Sequence, residues 1–195
     1  MLAGEFERAE ALYREAIVAR RAIGDPRLIA NAWNDIGAVY ERLGRYEEAR
    51  FSLEEAREIR ENSGQNASLG TTFDLMGLVY EGLGQADSAR VWYEKALEIT
   101  TVHGDSARTL EILSNYAALL ARTGNRARAG ALASRALGIA RTLGDTRREA
   151  ELEQILGTAV EKGAGAASLG HLERAASAFE RDGDVRRLAA ALLGI

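Results

Sequence analysis

The chain has 195 residues, 47% of them apolar and 28% charged, with a single proline. That is the composition of a folded, helix-rich protein and not of a disordered one. It holds no cysteine and only two histidines, His103 and His171, far apart in sequence, which excludes disulfides, a thiol nucleophile and a thiolate or histidine metal cage.

The net charge is −4, so no global attraction to nucleic acid is expected. No apolar run approaches the roughly 20 residues that span a bilayer, and no charged-then-apolar signal segment is expected at the start. The expectation is a cytoplasmic chain with no membrane partner, no nucleic-acid partner, no cofactor and no metal. Basic residues are 23 Arg against two Lys, which fits codon usage in a GC-rich genome.

Spacing of three and four between apolar residues predicts ten helices. They run over 4–23, 26–43, 46–63, 67–83, 86–103, 106–123, 126–143, 146–162, 166–182 and 185–195. The first begins in a turn, with Gly4, Phe6, Ala9, Ala16 and Gly24 matching Gly44, Tyr46, Ala49, Ala56 and Gly64. The next pair opens a period of 40. Gly37 and Gly77 align, and Ala117 and Gly157 continue their column. Tyr40 and Tyr80 align with Leu120 and Val160, and Gly44 with Gly84 and Gly124. Ala49, Ala89 and Ala129 form another column, as do Ala56, Ala96 and Ala136.

Gly24-Asp25, Gly104-Asp105, Gly144-Asp145 and Gly183-Asp184 mark the boundaries: glycine ends one helix and aspartate caps the next. At Gly64-Gln65-Asn66 the capping residue is expected to be Asn66. The domain reading is one array over 1–195. It has a half repeat at 4–24, full repeats at 25–64, 65–104 and 105–144, a degenerate repeat at 145–183 and a truncated half at 184–195. Two turns compete in the degenerate repeat, one at 162–165 and one at 169–175, and the first is preferred. The column of Gly37, Gly77 and Gly157 costs about 1 kcal/mol each in helix propensity, so another helix must approach there closely.

These columns (an aromatic, then Leu-Gly or its equivalent, Tyr three on, a turn glycine and two alanines in the second helix) resemble the tetratricopeptide repeat (TPR). The 40-residue period, against the usual 34, resembles the repeats of kinesin light chain, Pins/LGN-type scaffolds and bacterial signalling arrays. The family's final proline is replaced by the Gly-Asp joint. The resemblance implies an all-α fold, a right-handed α-solenoid of antiparallel helix hairpins whose first helices line a concave groove. It implies protein or peptide binding and no catalysis.

On that match the exposed stripe of the first helices is the candidate binding surface. It takes Asn31, Asn34, Ala38, Glu41 and Arg42 from the first full repeat, and Thr71, Asp74, Leu78, Glu81 and Gly82 from the second. The third adds Glu111, Ser114, Ala118, Ala121 and Arg122. The fourth adds Glu151, Gln154, Thr158, Glu161 and Lys162. Asn34 is the leading candidate, because an amide can hold a peptide backbone through both its groups. The lining is mildly acidic.

Seven arginines between 122 and 148 form a second candidate surface, read first as a solvated face. Trp92 stands where other repeats have Ser52, Leu132 and Leu12, and is read as packing. The function these residues point to is a non-enzymatic scaffold that holds a peptide or helix in the groove. The alternative is a structural and self-association module, the assembly arm of a larger bacterial signalling or regulatory protein, joining end to end through unpaired solenoid ends.

Overall fold

The computed structural model describes residues 11, 12, 15, 17–20, 22–159 and 165–193, apart from the side chains of 165, 166 and 193. Most of the expected first helix lies outside these residues; those described between 11 and 23 are helical. Glu161, Lys162 and the final Ile195 also lie outside them.

The described residues form α1 (Pro26–Arg42), α2 (Tyr46–Asn62), α3 (Asn66–Gly82), α4 (Ala86–Val102), α5 (Ser106–Arg122), α6 (Arg126–Leu143), α7 (Thr146–Ala159), α8 (Gly165–Arg181) and α9 (Val185–Leu193). Among the described residues there is no strand. α8 runs unbroken through Leu169–Ala175.

The joints explain the regularity. After α1, Gly44 adopts φ +71°, and the chain makes a paired closure. The Gly44 amide donates to the Glu41 carbonyl at 2.9 Å and the Arg45 amide to that of Tyr40 at 2.9 Å. This satisfies two carbonyls that the helix end would leave bare, and glycine enters the left-handed region without a Cβ clash. The same closure recurs at Gly64, Gly84, Gly124, Gly144 and Gly183.

The next helix starts at once. Asp25, Asp105, Asp145 and Asp184 accept from the amides of Arg27, Arg108, Arg148 and Arg187. The exception corrects the sequence reading. Asn66 is the first residue of α3 and does not cap it; Gln65 holds the cap position without a side-chain bond. Joints this short leave successive helices no course but antiparallel.

The chain divides into two compact units, residues 1–104 and 105–195. In the first, α1 packs on α2, α3 on α4, α2 on α3 and α1 on α3. Its core includes Ala30, Ile36, Leu53, Met76, Val79 and Tyr93. In the second, α5 packs on α6, α6 on α7, α7 on α8, α8 on α9 and α5 on α7. Its core includes Leu113, Tyr116, Leu120, Leu152, Leu172 and Phe179.

Close approach follows the glycine column. A Cβ on Gly37 would meet Leu53 at 2.8 Å, one on Gly77 would meet the Tyr93 ring at 2.5 Å, and one on Gly157 would meet Leu172 at 2.6 Å. Ala117 takes this column in the third repeat, where the residue in the register of Leu53 and Tyr93 is Ala133, fully buried. The larger residue on one helix is matched by the smaller one opposite, which conserves volume.

Candidate protein-interaction surface

Helical geometry puts positions 31, 34, 38, 41 and 42 along one side of α1, and the 40-residue period repeats that stripe on α3, α5 and α7. The structure divides the stripe in two. Asn31, Arg42 and Arg122 are exposed; Glu41, Thr71, Glu81, Glu111, Glu151 and Gln154 are half-buried. Asn34, Asp74 and Ser114 are buried, at 6%, 3% and 7% exposure. Their expected place on an exposed face is therefore corrected. A helical wheel sorts a helix against its own hairpin, whereas this column also meets its surroundings in the stack.

At Asn34 the reason is visible. Its side-chain carbonyl accepts from Arg60 Nη1 at 3.2 Å and from Thr72 Oγ1 at 3.0 Å. Arg60, 4% exposed near the end of α2, also donates to the Ser68 carbonyl at 3.0 Å, to Asn31 Oδ1 at 2.9 Å and to the Thr72 hydroxyl. One buried guanidinium thus ties α1, α2 and α3 together through neutral oxygens. The Asn34 amide works inside the seam. Ser114 bonds back to the Leu110 carbonyl at 2.7 Å.

In the first unit the accessible part of the stripe keeps an acidic character. Burial pushes the Glu41 carboxyl above its ordinary range; Arg42 opposes this and the like charge of Glu81 adds to it. In the second unit the stripe's carboxylates carry arginine partners. Arg108 lies 2.8 Å and Arg148 3.8 Å from Glu111. Arg147 lies 3.4 Å from Glu151, to which Arg187 also donates. Arg148 and Arg187 each lie in the first turn of the next repeat's first helix, so their pairs with Glu111 and Glu151 link one repeat to the next.

The arginine-rich stretch is engaged in the same way. Arg128 stacks over Tyr116 at 5.2 Å, and Arg141 lies 3.0 Å from Glu153.

Glu153 was not among the residues singled out from sequence. It is 4% exposed and receives Arg141 at 3.0 Å, Arg174 at 3.1 Å and the His171 ring. Burial raises its carboxyl, but the hydrogen bonds from Arg174 and His171 and their charges outweigh that and hold it below the ordinary value of 4.5. It sits in the wall of a cleft of about 420 Å³, which Arg181, Glu149 and Glu173 also line. Acidic and basic side chains balance there. A signal existed in sequence: Glu153 falls on the α7 face that also carries Ala150 and Leu156, where a charge requires partners.

Trp92 is half-buried packing, as its column suggested. Its ring lies 5.3 Å from Phe73 and 6.2 Å from Tyr80, and Lys95 sits 4.2 Å over it. Among the described residues no helix is long and apolar enough to cross a membrane, and no group of three His, Cys, Asp or Glu side chains is placed to hold a metal.

With these repeats in view, comparison with known proteins is decisive for the family. The tetratricopeptide repeat profile matches residues 1–62, 28–101 and 66–142. The chain belongs to the tetratricopeptide repeat family. TPR repeats generally mediate protein–protein interaction or scaffolding. The fold is similar to that of BtubC (BKLC) from P. vanneervenii, with a TM-score of 0.76 and 24% identity over 99% of this chain and 76% of that one. It is also similar to a signal-transduction ATPase with numerous domains and a tetratricopeptide repeat sensor from Pyrococcus horikoshii. There the TM-score is 0.83 and the identity 20%, over 99% of this chain and 30% of that one. Both similarities concern the fold. No curated protein matches the chain.

Proposed function

We propose that this TPR chain is a non-enzymatic scaffold whose first-helix stripe receives a segment of another protein, and that the stripe of the first unit favours a basic segment. The accessible positions there are Asn31, Glu41, Arg42, Thr71 and Glu81. In the second unit they are Glu111, Arg122, Glu151 and Gln154. Asn34, Asp74 and Ser114 support this surface from beneath.

The observation that carries the reading is the pair Glu41 and Glu81, on successive first helices. Each is half-buried, and the charge of Glu81 adds to the burial that raises the Glu41 carboxyl. A lysine or arginine placed between them relieves both costs, and electrostatic complementarity of this kind sets partner choice. Glu81 also accepts from the Tyr93 hydroxyl at 3.5 Å, and the second-unit carboxylates Glu111 and Glu151 are held by Arg108 and Arg147.

The test is fluorescence anisotropy with labelled lysine-rich and glutamate-rich peptides of equal length. The lysine-rich peptide is expected to bind more tightly. The double variant Glu41→Gln, Glu81→Gln is expected to weaken it by about tenfold, or about 1.4 kcal/mol. Equal binding by the wild type and the double variant would overturn the reading. Loss of binding only on substitution of Arg126 and Arg128 would move the site to the second helices.

A further inference from the structure

The second full repeat contains a filled aromatic pocket, and the first contains the same pocket open. In the second, the Trp92 indole lies against Phe73 and Tyr80. One repeat earlier those columns hold Trp33, Tyr40 and, in place of the indole, Ser52. The serine cannot fill that volume. It is 1% exposed and turns its hydroxyl back onto the Glu48 carbonyl at 2.8 Å. What remains is a cavity of about 300 Å³ walled by Trp33, Tyr40, Glu47, Glu48, Phe51 and Ser52, a size at the lower end of ligand pockets. Phe51, at its mouth, is 60% exposed and meets Trp33 edge-on at 5.9 Å.

The charges around this cavity differ from those of the filled one in a directed way. Lys95 covers the Trp92 indole at 4.2 Å; its counterpart in the first repeat is Glu55. Glu47 and Glu48 stand in the wall, where the second repeat has Asp87 and Ser88. α2 as a whole holds six glutamates and three arginines. Glu47 and Glu48 pair with Arg50 and Arg45 at 2.8 and 3.0 Å, and both carboxylates stay accessible at 64% and 49%. Arg45 stacks on Tyr40 at 4.4 Å and is not part of the cavity wall.

We infer that this pocket is a docking site for a partner helix that presents an aromatic side chain, tryptophan above all, with a lysine or arginine one turn further on. The chain carries the template of its ligand in Trp92 and Lys95: an indole inserted between two aromatic rings, with a cation three positions on. The indole of the partner enters the space that Ser52 leaves, against Trp33 and Tyr40. Glu55, in the column of Lys95, is the counter-charge for that cation, and Glu47 and Glu48 make the cavity wall acidic as well. An aromatic anchor in a pocket, ringed by polar groups, is the usual arrangement of an interface hot spot. The inference is independent of the stripe on the first helices, which shares none of the six wall residues.

The probe is a blocked, alanine-based helical peptide containing tryptophan and, three residues later, lysine, titrated calorimetrically into the wild-type chain. Binding is expected. Replacing the peptide's tryptophan by alanine, or its lysine by glutamate, is expected to weaken it by about tenfold or more. Ser52→Trp in the protein, which closes the pocket as the second repeat does, is expected to abolish binding with the helical circular dichroism unchanged. Phe51→Ala, at a position 60% exposed, is expected to weaken it by about tenfold and stands in should Ser52→Trp fail to fold. Unchanged affinity in both variants, or equal binding of the lysine and glutamate peptides, would overturn the proposal. So would displacement of the probe by the lysine-rich peptide that tests the stripe, because the two sites would then be one.

Discussion

Asn34 accepts a hydrogen bond from Arg60, 26 positions further along, at 3.2 Å inside the seam between two hairpins. Leaving a buried guanidinium short of acceptors is costly, and here neutral oxygens serve its two terminal nitrogens. Asn34→Ala removes one of those acceptors and is expected to cost about 1–3 kcal/mol, seen as an earlier midpoint in urea denaturation. The effect of this substitution is on stability. Weakened partner binding at unchanged stability would place Asn34 on the accessible surface after all.

Gly77 faces the Tyr93 ring, and its partner decides what a methyl group does there. Alanine gains about 1 kcal/mol over glycine in helix propensity. A Cβ 2.5 Å from a fully buried ring, however, costs about 1–3 kcal/mol through overpacking. Gly77→Ala is therefore expected to destabilise the wild type. In a Tyr93→Ala background, which reproduces the Ala117 and Ala133 pairing, the same change is expected to stabilise. A double-mutant cycle by thermal denaturation reads the reversal of sign; a methyl group that acts alike in both backgrounds would remove the steric account.

The Glu153 cluster gives the second unit an acid-sensitive joint. The folded carboxyl is held below its ordinary value of 4.5. Its contribution to stability is therefore complete above that value and is lost as pH falls through the lower, folded one. Glu153→Leu removes this share of the acid dependence. Arg141 and Arg174 are more than half exposed and recover water when the carboxylate is gone. The loss near neutral pH is then about 1–2 kcal/mol, below the about 3–5 kcal/mol of a fully buried pair. Urea midpoints for the wild type and the variant, taken from neutral pH down through the carboxylate range, should converge at the acid end.

Glu41 behaves oppositely. Burial raises its carboxyl, Arg42 opposes the shift and Glu81 adds to it. The ionised form is thus disfavoured on folding, and that penalty fades as pH falls through the raised value. Glu41→Gln is expected to raise the melting temperature at neutral pH and to leave it unchanged in acid, where the wild-type carboxyl is also neutral. A lower melting temperature at neutral pH would mean that the attraction of Arg42 outweighs burial.

The architecture was legible because each hairpin carries its own signals. The 40-residue columns, the glycine and aspartate of the joints and the small residues at close approach all act within one or two neighbouring helices. What was not legible depends on the third helix. Asn34, Asp74 and Ser114 look solvent-facing on their own helices yet are buried in the stack. Arg60 looks like a favourable charge at a helix end, and its buried role appears only when Ser68 and Thr72 arrive from α3. Glu153 escaped notice because its partners lie 12, 18 and 21 positions away. The open pocket beside Ser52 was half legible: the column of Trp92 and Ser52 was plain, but that nothing else filled the space was not.

The closures at the joints give this chain something like a reading frame. Helices begin at residues 26, 46, 66, 86, 106, 126 and 146, so through the three full repeats a helix of 17 or 18 residues and its short joint form one word of 20; only from within the degenerate repeat onward, where helices begin at 165 and 185, does the frame fall one residue short. A block of two words can be copied or removed at any left-handed glycine, because each junction it creates is already used elsewhere. A single inserted residue has no such refuge. Within a helix it turns every following side chain by about 100°, moving the small residue of the close approach away from the partner shaped to receive it. Such an array lengthens or shortens in whole hairpins, and its first and second helices drift in sequence far more easily than in length.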